Sequence, residues 1–178
     1  MENKIVAGII GLEFGRAHLE GALAYGAEIG LICDCDEKSL KFAADKYNIP
    51  EEKCTLDYHD IINNPEINAV SIGIPDQLHK QVALEMLEAG KHVLCEKPDA
   101  IDVTEVLKMK NAADEAGKVL MVIRNNRFVN ASQYAKKFVE DGKMGEIYCG
   151  RCGWQRRRGI PGKGGWFTTK EQSGGGPL

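Results

Sequence analysis

Lys91-His92-Val93-Leu94-Cys95-Glu96-Lys97-Pro98 is the stretch whose reading decides the fold. Val93–Cys95 is a short apolar run suited to a buried strand, and Gly90 ahead of it stands where a helix C-cap would. Pro98 cannot continue a central ladder, so Glu96 and Lys97 are expected just past the carboxyl end of that strand. In an open α/β sheet that edge is where ligands bind. A lysine held there by a stiff Lys-Pro bond is well placed to act on a bound molecule. The alternative on these residues alone is a surface lysine beside a turn proline.

Upstream, the same texture repeats. Ile5-Val6-Ala7-Gly8-Ile9-Ile10 is a compact apolar run closed by a glycine-rich turn, as a strand buried on both faces requires. A helix is expected over Arg16–Tyr25, then a strand over Ile29–Cys33 closed by Asp34. Asp36 has the position of an N-cap for a helix that places Leu40, Ala43, Ala44 and Tyr47 at helical spacing. A weak strand over Cys54–Leu56 and a short helix over Tyr58–Ile62 follow, then a buried strand over Ala69–Ile74 stopped by Pro75. The next helix aligns Leu78, Val82, Met86 and Leu87. Downstream of Pro98, Asp102 with Glu105 three residues on resembles a capping box, for a helix ending at Gly117. Val119–Ile123 is the last apolar run. Alternating strands and helices in this order predict a doubly wound parallel sheet in the α/β class.

The texture changes after Ile123. A helix over Asn130–Asp141 and a strand over Ile147–Trp154 are expected. Nine of the 20 glycines then fall between Gly150 and Gly176, among Arg151, Arg156, Arg157, Arg158, Lys163 and Lys170. This basic run, with Trp154 and Trp166, could suggest RNA. At a net charge of −3 the favoured reading is arginines that brace a loop or line an anionic or hydroxylated ligand site. Residues 124–178 are too rich in glycine and too poor in apolar runs to fold alone. The expected division is therefore a domain over 1–123 and the incomplete start of a second over 124–178, with the chain truncated or completed by another.

At 43% hydrophobic and 28% charged, the composition is that of a soluble globular protein, and the charge draws it neither to nucleic acid nor to an anionic membrane. No apolar run approaches the ~18 residues of a spanning helix, and no signal-peptide h-region precedes the first strand, so the cytoplasm is the expected compartment. The six cysteines then read as buried thiols rather than disulfides. Cys149-Gly-Arg-Cys152 has metal-ligand spacing, but no second pair completes four ligands, and no metal site is expected.

A turn directly after a first strand and before a helix is where a dinucleotide pyrophosphate docks. Here it is Gly11-Leu12-Glu13-Phe14-Gly15, which departs twice from Gly-x-Gly-x-x-Gly: Glu13 replaces the second glycine, and the spacing is one residue short. Asp34 ends the second strand 19 residues after Gly15, where an acid can accept both ribose hydroxyls and repel the 2′-phosphate of NADP. NAD is therefore favoured over NADP. The alternative is that Asp34 only starts a turn. Of the four histidines, His18 and His59 read as solvated and His92 as structural. His79 either touches the cofactor or caps a helix.

These segments together resemble the Gfo/Idh/MocA oxidoreductases, the family of glucose–fructose oxidoreductase and inositol dehydrogenase. The most specific is "EAGKHVLCEKP" at 88–98, with "GIPDQLH" at 73–79, "RNNRF" at 124–128, "WQRRRGIPGKGGWF" at 154–167 and "SGGG" at 173–176. The resemblance runs from residue 3 to the end. It implies a Rossmann-like dinucleotide-binding domain followed by an α+β domain whose open sheet covers the active site and forms a homo-oligomer interface. It also implies reversible hydride transfer between a sugar or polyol carbinol and NAD(P). By position, Gly11, Phe14, Gly15, Arg16, Asp34, Ile74, Pro75, His79 and Glu96 would seat the cofactor. Lys97 would lie between nicotinamide and substrate as the catalytic residue, and Arg127, Trp154 and Trp166 would lie nearer the substrate. The family's Asp and His partners belong to the second domain, where this chain has no histidine, so it is expected to bind NAD but to turn over sugar poorly. Two other readings remain: a glycoside-cleaving enzyme that oxidises only transiently, and a dinucleotide-binding regulator without catalysis.

Overall fold

The computed structural model describes residues 4–153, 155, 157, 165 and 168–174. Six parallel strands form one sheet: β1 (Val6–Ile10), β2 (Glu28–Cys33), β3 (Cys54–Thr55), β4 (Ala69–Ile72), β5 (His92–Cys95) and β6 (Leu120–Val122), in the order β3-β2-β1-β4-β5-β6. The connecting helices are α1 (Gly15–Tyr25), α2 (Glu37–Tyr47), α3 (His59–Asn63), α4 (His79–Glu88) and α5 (Val103–Ala116). Alternate residues of a strand face opposite sides, and two cores result. Ile9 and Ile32 pack with Leu19, Leu40 and Ala43 of α1 and α2. Ile10, Val70, Ile72 and Cys95 pack on the other side with Ile61, Met86, Leu87 and Met109 of α3, α4 and α5. The sheet is thus doubly wound, as the alternation of apolar runs predicts. On the α1 side, β6 stays open to solvent, with Val119 59% and Met121 44% exposed.

The helix ends follow their side chains. Asp36 caps α2 by accepting from the Lys38 and Ser39 amides, and Asp102 caps α5 by accepting from the Glu105 amide. The capping box at Asp102 is only half made, because the Glu105 carboxylate is drawn instead to Lys80 Nζ of α4 at 2.7 Å. Burial pushes the Cys33 and Cys95 thiols up to about 12, which keeps both protonated and inert.

Lys91 starts the decisive stretch and is 3% exposed. Among the described residues its ammonium has no acid within ion-pair distance. It donates to the Asn64 and Ile67 carbonyls at 2.8 and 3.0 Å, tying the turn before β4 to the start of β5. Lys91→Met, which keeps the aliphatic stem and orphans both carbonyls, is expected to lower unfolding free energy by about 1–3 kcal/mol. Urea denaturation checks this as a lower midpoint at unchanged slope.

Beyond β6 a helix α6 (Asn130–Glu140) forms as expected. Residues 147–153 form no strand, against the expectation for Ile147–Trp154, and Trp154 itself lies outside the described residues. The physical reason is the lack of a partner: alternation yields a strand only beside a neighbour, and Ile147 and Tyr148 are 51% and 96% exposed. A short last helix, α7 (Lys170–Ser173), brings Gly174 back against the loop after Pro98, where a Cβ on Gly174 would meet the Ile101 carbonyl oxygen at 2.6 Å.

Candidate active site

The strand order reverses between β1 and β4, and a crevice opens beyond their carboxyl ends. Two glycines let the chains close there. Gly11, at φ +81°, packs so tightly that a Cβ would meet the Gly73 carbonyl oxygen at 2.4 Å. Gly73 in turn meets the Gly15 amide nitrogen at 2.9 Å from where its own Cβ would stand. The start of α1 therefore sits against the end of β4. Phe14 at its N-cap makes no side-chain cap, and the first turn carries no acid, so helical N–H groups are left to offer an anion.

One cleft of ≈ 380 Å³ gathers Gly11, Phe14, Asp34, Ile74 and Pro75, all expected cofactor residues. Glu13 lies on its rim and is exposed. Tyr58 also lines the cleft, which the sequence reading missed; its place just beyond β3 was the available signal. The Asp34 carboxylate accepts from the Leu12 amide at 2.6 Å and the Asp36 amide at 2.8 Å, one on each oxygen. It thus holds the glycine turn in shape, while each oxygen keeps a lone pair for a hydroxyl. These residues fit a nucleotide: a backbone cradle closed to any Cβ, free helix N–H groups and a strand-end acid.

Lys97 follows β5, with a cis peptide to Pro98 and a side chain 58% exposed. Glu96 folds back so that Oε2 accepts from the Lys97 amide at 2.8 Å and stands 4.0 Å from its Nζ. Asp76, buried after Pro75, has its carboxyl pushed up by burial, against the pull of His79 and Lys97.

Three expectations change. His79 neither lines the cleft nor caps a helix; fully buried, it bridges the Pro98 and Ile74 carbonyls at 2.8 and 2.9 Å and so ties the lysine loop to the end of β4. Arg16 turns away and lies over the Phe42 ring of α2 at 5.2 Å. His18 is not solvated: its side chain is 8% exposed, 2.8 Å from Ser71 Oγ and 3.5 Å from Glu96 Oε1. Arg127 borders a different hollow, with Asn126, Phe128 and Lys136. Trp154 and Trp166 lie outside the described residues. Among the described residues no group of three or more acidic, cysteine or histidine side chains could hold a metal, and Cys149 and Cys152 are exposed.

Burial lowers the His18 pKa, with Glu96 opposing. Below the unfolded value of about 6.5 the unfolded chain therefore binds the extra proton first, and stability falls as pH drops through that window. His18→Gln is expected to flatten this acid slope between pH 7 and 5, as read from denaturation midpoints.

A glycine-closed switch point, an uncapped helix start and a strand-end acid around one cleft define a dinucleotide-binding domain. The chain belongs to the Gfo/Idh/MocA oxidoreductases: residues 5–124 match the model of that family, described as an oxidoreductase family with an NAD-binding Rossmann fold. It is 35% identical over 151 residues to D-glucoside 3-dehydrogenase of Escherichia coli, which covers 85% of this chain and 42% of that protein. To 2,7-anhydro-N-acetylneuraminate hydratase of the same organism it is 33% identical over 118 residues, covering 65% of this chain and 31% of that one. The WlbA dehydrogenase of Bordetella pertussis, solved with NADH and UDP-GlcNAcA, superposes with a TM-score of 0.75 at 30% identity, over 83% of this chain and 44% of the other. The chain thus spans less than half the length of these relatives. Among the described residues no helix is long and apolar enough to cross a membrane.

Proposed function

We propose that these residues bind NAD along the carboxyl edge of the sheet, as the cofactor part of a cytoplasmic dehydrogenase of sugars or polyols. The observation that carries the reading is the single cleft shared by Gly11, Phe14, Asp34, Ile74 and Pro75, with Lys97 at the end of β5, the second strand from β1 on the same edge. NAD, when bound, takes or returns a hydride. Asp34 accepts the ribose hydroxyls and disfavours a 2′-phosphate. Gly11, Gly15 and the start of α1 receive the pyrophosphate, Glu96 seats the nicotinamide side, and His79 acts from below through Ile74 and Pro98. In the reducing direction the Lys97 ammonium stabilises charge growing on the carbonyl oxygen and gives it a proton; in the oxidising direction the free amine takes that proton back from the carbinol.

Residues 124–178 open a second domain in this reading, which carries substrate contacts such as Arg127, Trp154 and Trp166 and assembles the homo-oligomer. Tyr134 of α6 is 69% exposed beside the Phe138 ring, an apolar patch that no strand among the described residues covers. Turnover by the 178 residues alone is low or absent. Calorimetry tests the first step: NADH should bind the folded chain with NADP much weaker, and no heat with NAD or NADH would refute the reading. The hydratase among the relatives favours one second version, in which oxidation is transient and net redox is zero. Release of NADH in step with substrate consumption would exclude it.

A further inference from the structure

One buried cluster lies beneath Lys97, and two of its three members, His18 and Ser71, have no part in the chemistry above. His18 comes from α1, Ser71 from the middle of β4, and Glu96 from the end of β5. Ser71 is 6% exposed, and the His18 and Glu96 side chains are 8% and 19% exposed. Ser71 Oγ stands 2.8 Å from His18 Nδ1, and His18 Nε2 stands 3.5 Å from Glu96 Oε1. The other carboxylate oxygen accepts the Lys97 amide at 2.8 Å.

We propose that His18 is a positioning residue that, in its neutral form with the proton on Nε2, holds the Glu96 carboxylate so that Glu96 in turn fixes the backbone and ammonium of Lys97. The tautomer follows from the contacts. With Nδ1 protonated, the bare Nε2 lone pair would face a carboxylate in a site nearly closed to water, which is repulsive. With Nε2 protonated, the Ser71 hydroxyl donates to Nδ1 and the ring donates toward Glu96, so every dipole points at the same negative charge. Burial lowers the His18 pKa despite Glu96, in keeping with a neutral ring. Among the described residues the charged or titratable groups around Glu96 are His18 from α1, Lys97 beyond β5, Asp76 from the turn after β4, and the Cys95 thiol, which burial keeps protonated. His18 is the only one of these on the α1 side. The link to catalysis rests on the role proposed for Lys97; the placing of His18 between Ser71 and Glu96 does not.

The test uses the 178-residue chain with its lysines reductively ¹³C-methylated and the Lys97 resonance assigned through Lys97→Arg. At pH 7 that resonance should stand apart from those of the exposed lysines, because Glu96 holds the Lys97 backbone and ammonium in one place. His18→Leu should collapse most of that separation. His18→Gln, whose amide can donate in the same direction, should restore most of it, and Ser71→Ala should give a smaller loss. An unmoved resonance in folded His18→Leu, or a glutamine that behaves like leucine, overturns the proposal. Where leucine prevents folding, Ser71→Ala decides in the same way, and no movement there overturns it. NADH titrations run alongside keep the two ideas apart, because a parent chain that binds no NADH refutes the proposed function while the Lys97 resonance still judges His18.

Discussion

Lys97→Ala, made in a chain extended to the length of its relatives, is expected to cut kcat by about 10²–10⁴-fold while NADH affinity changes by only a few-fold. The separation follows from where the groups lie. The cleft that would take the nucleotide is walled by the ends of β1, β2 and β4, and Lys97 is not among its lining residues. Its side chain is 58% exposed beyond β5, and among the described residues its one ion-pair partner is Glu96 at 4.0 Å, so its removal leaves the cradle intact. What is lost is a positive charge and a proton donor near the carbinol oxygen, both of which act as the hydride moves. Lys97→Arg sorts these two contributions: the charge stays, but a guanidinium does not give up its proton near neutral pH. Arginine should therefore rescue only part of the loss. Initial rates with a sugar substrate and fluorescence titration with NADH make the check. An alanine variant within tenfold of the parent in kcat would remove Lys97 from the chemistry.

The sheet was legible because a strand buried on both faces has to be a nearly unbroken apolar run, and Val6–Ile10, Ile29–Cys33, Ala69–Ile72 and Val93–Cys95 each are one. Asp36 and Asp102 announced their helices because capping is local: the acid and the amide it accepts lie within three residues. What stayed hidden depends on which elements meet. His18 sits in α1 among small residues with no sign of burial, and only the crossing of α1 over β4 and β5 brings it to Ser71 and Glu96. Nothing local in the sequence marks Lys91 for burial, yet two backbone carbonyls of another turn take it in. Glu105 was drawn from its capping partner by a lysine one helix away. The segment 147–153 shows the reverse failure, where a local pattern met no strand to pair with.

The tightest point of the site gives the second large effect. Gly11→Ala is expected to lower unfolding free energy by roughly 2–5 kcal/mol and to abolish NADH binding. Two penalties combine there. At φ +81° any Cβ is strained, and this one would also stand 2.4 Å from the Gly73 carbonyl oxygen, a backbone atom that cannot rotate away. Relief requires β1 and β4 to part at their carboxyl ends. Parting them pulls the Leu12 amide off Asp34 and lifts the start of α1 from Gly73, so stability and the anion cradle fail together. Gly21→Ala is the internal control in the neighbouring helix: nothing lies within 4 Å of its Cβ position, and alanine there should stabilise α1 by about 0.5–1 kcal/mol with NADH binding unchanged. Urea denaturation with NADH titration reads both variants. A Gly11→Ala chain that keeps its midpoint and still binds NADH would mean that β1 and β4 do not close on each other as described, and the cleft would lose the contact that shapes it.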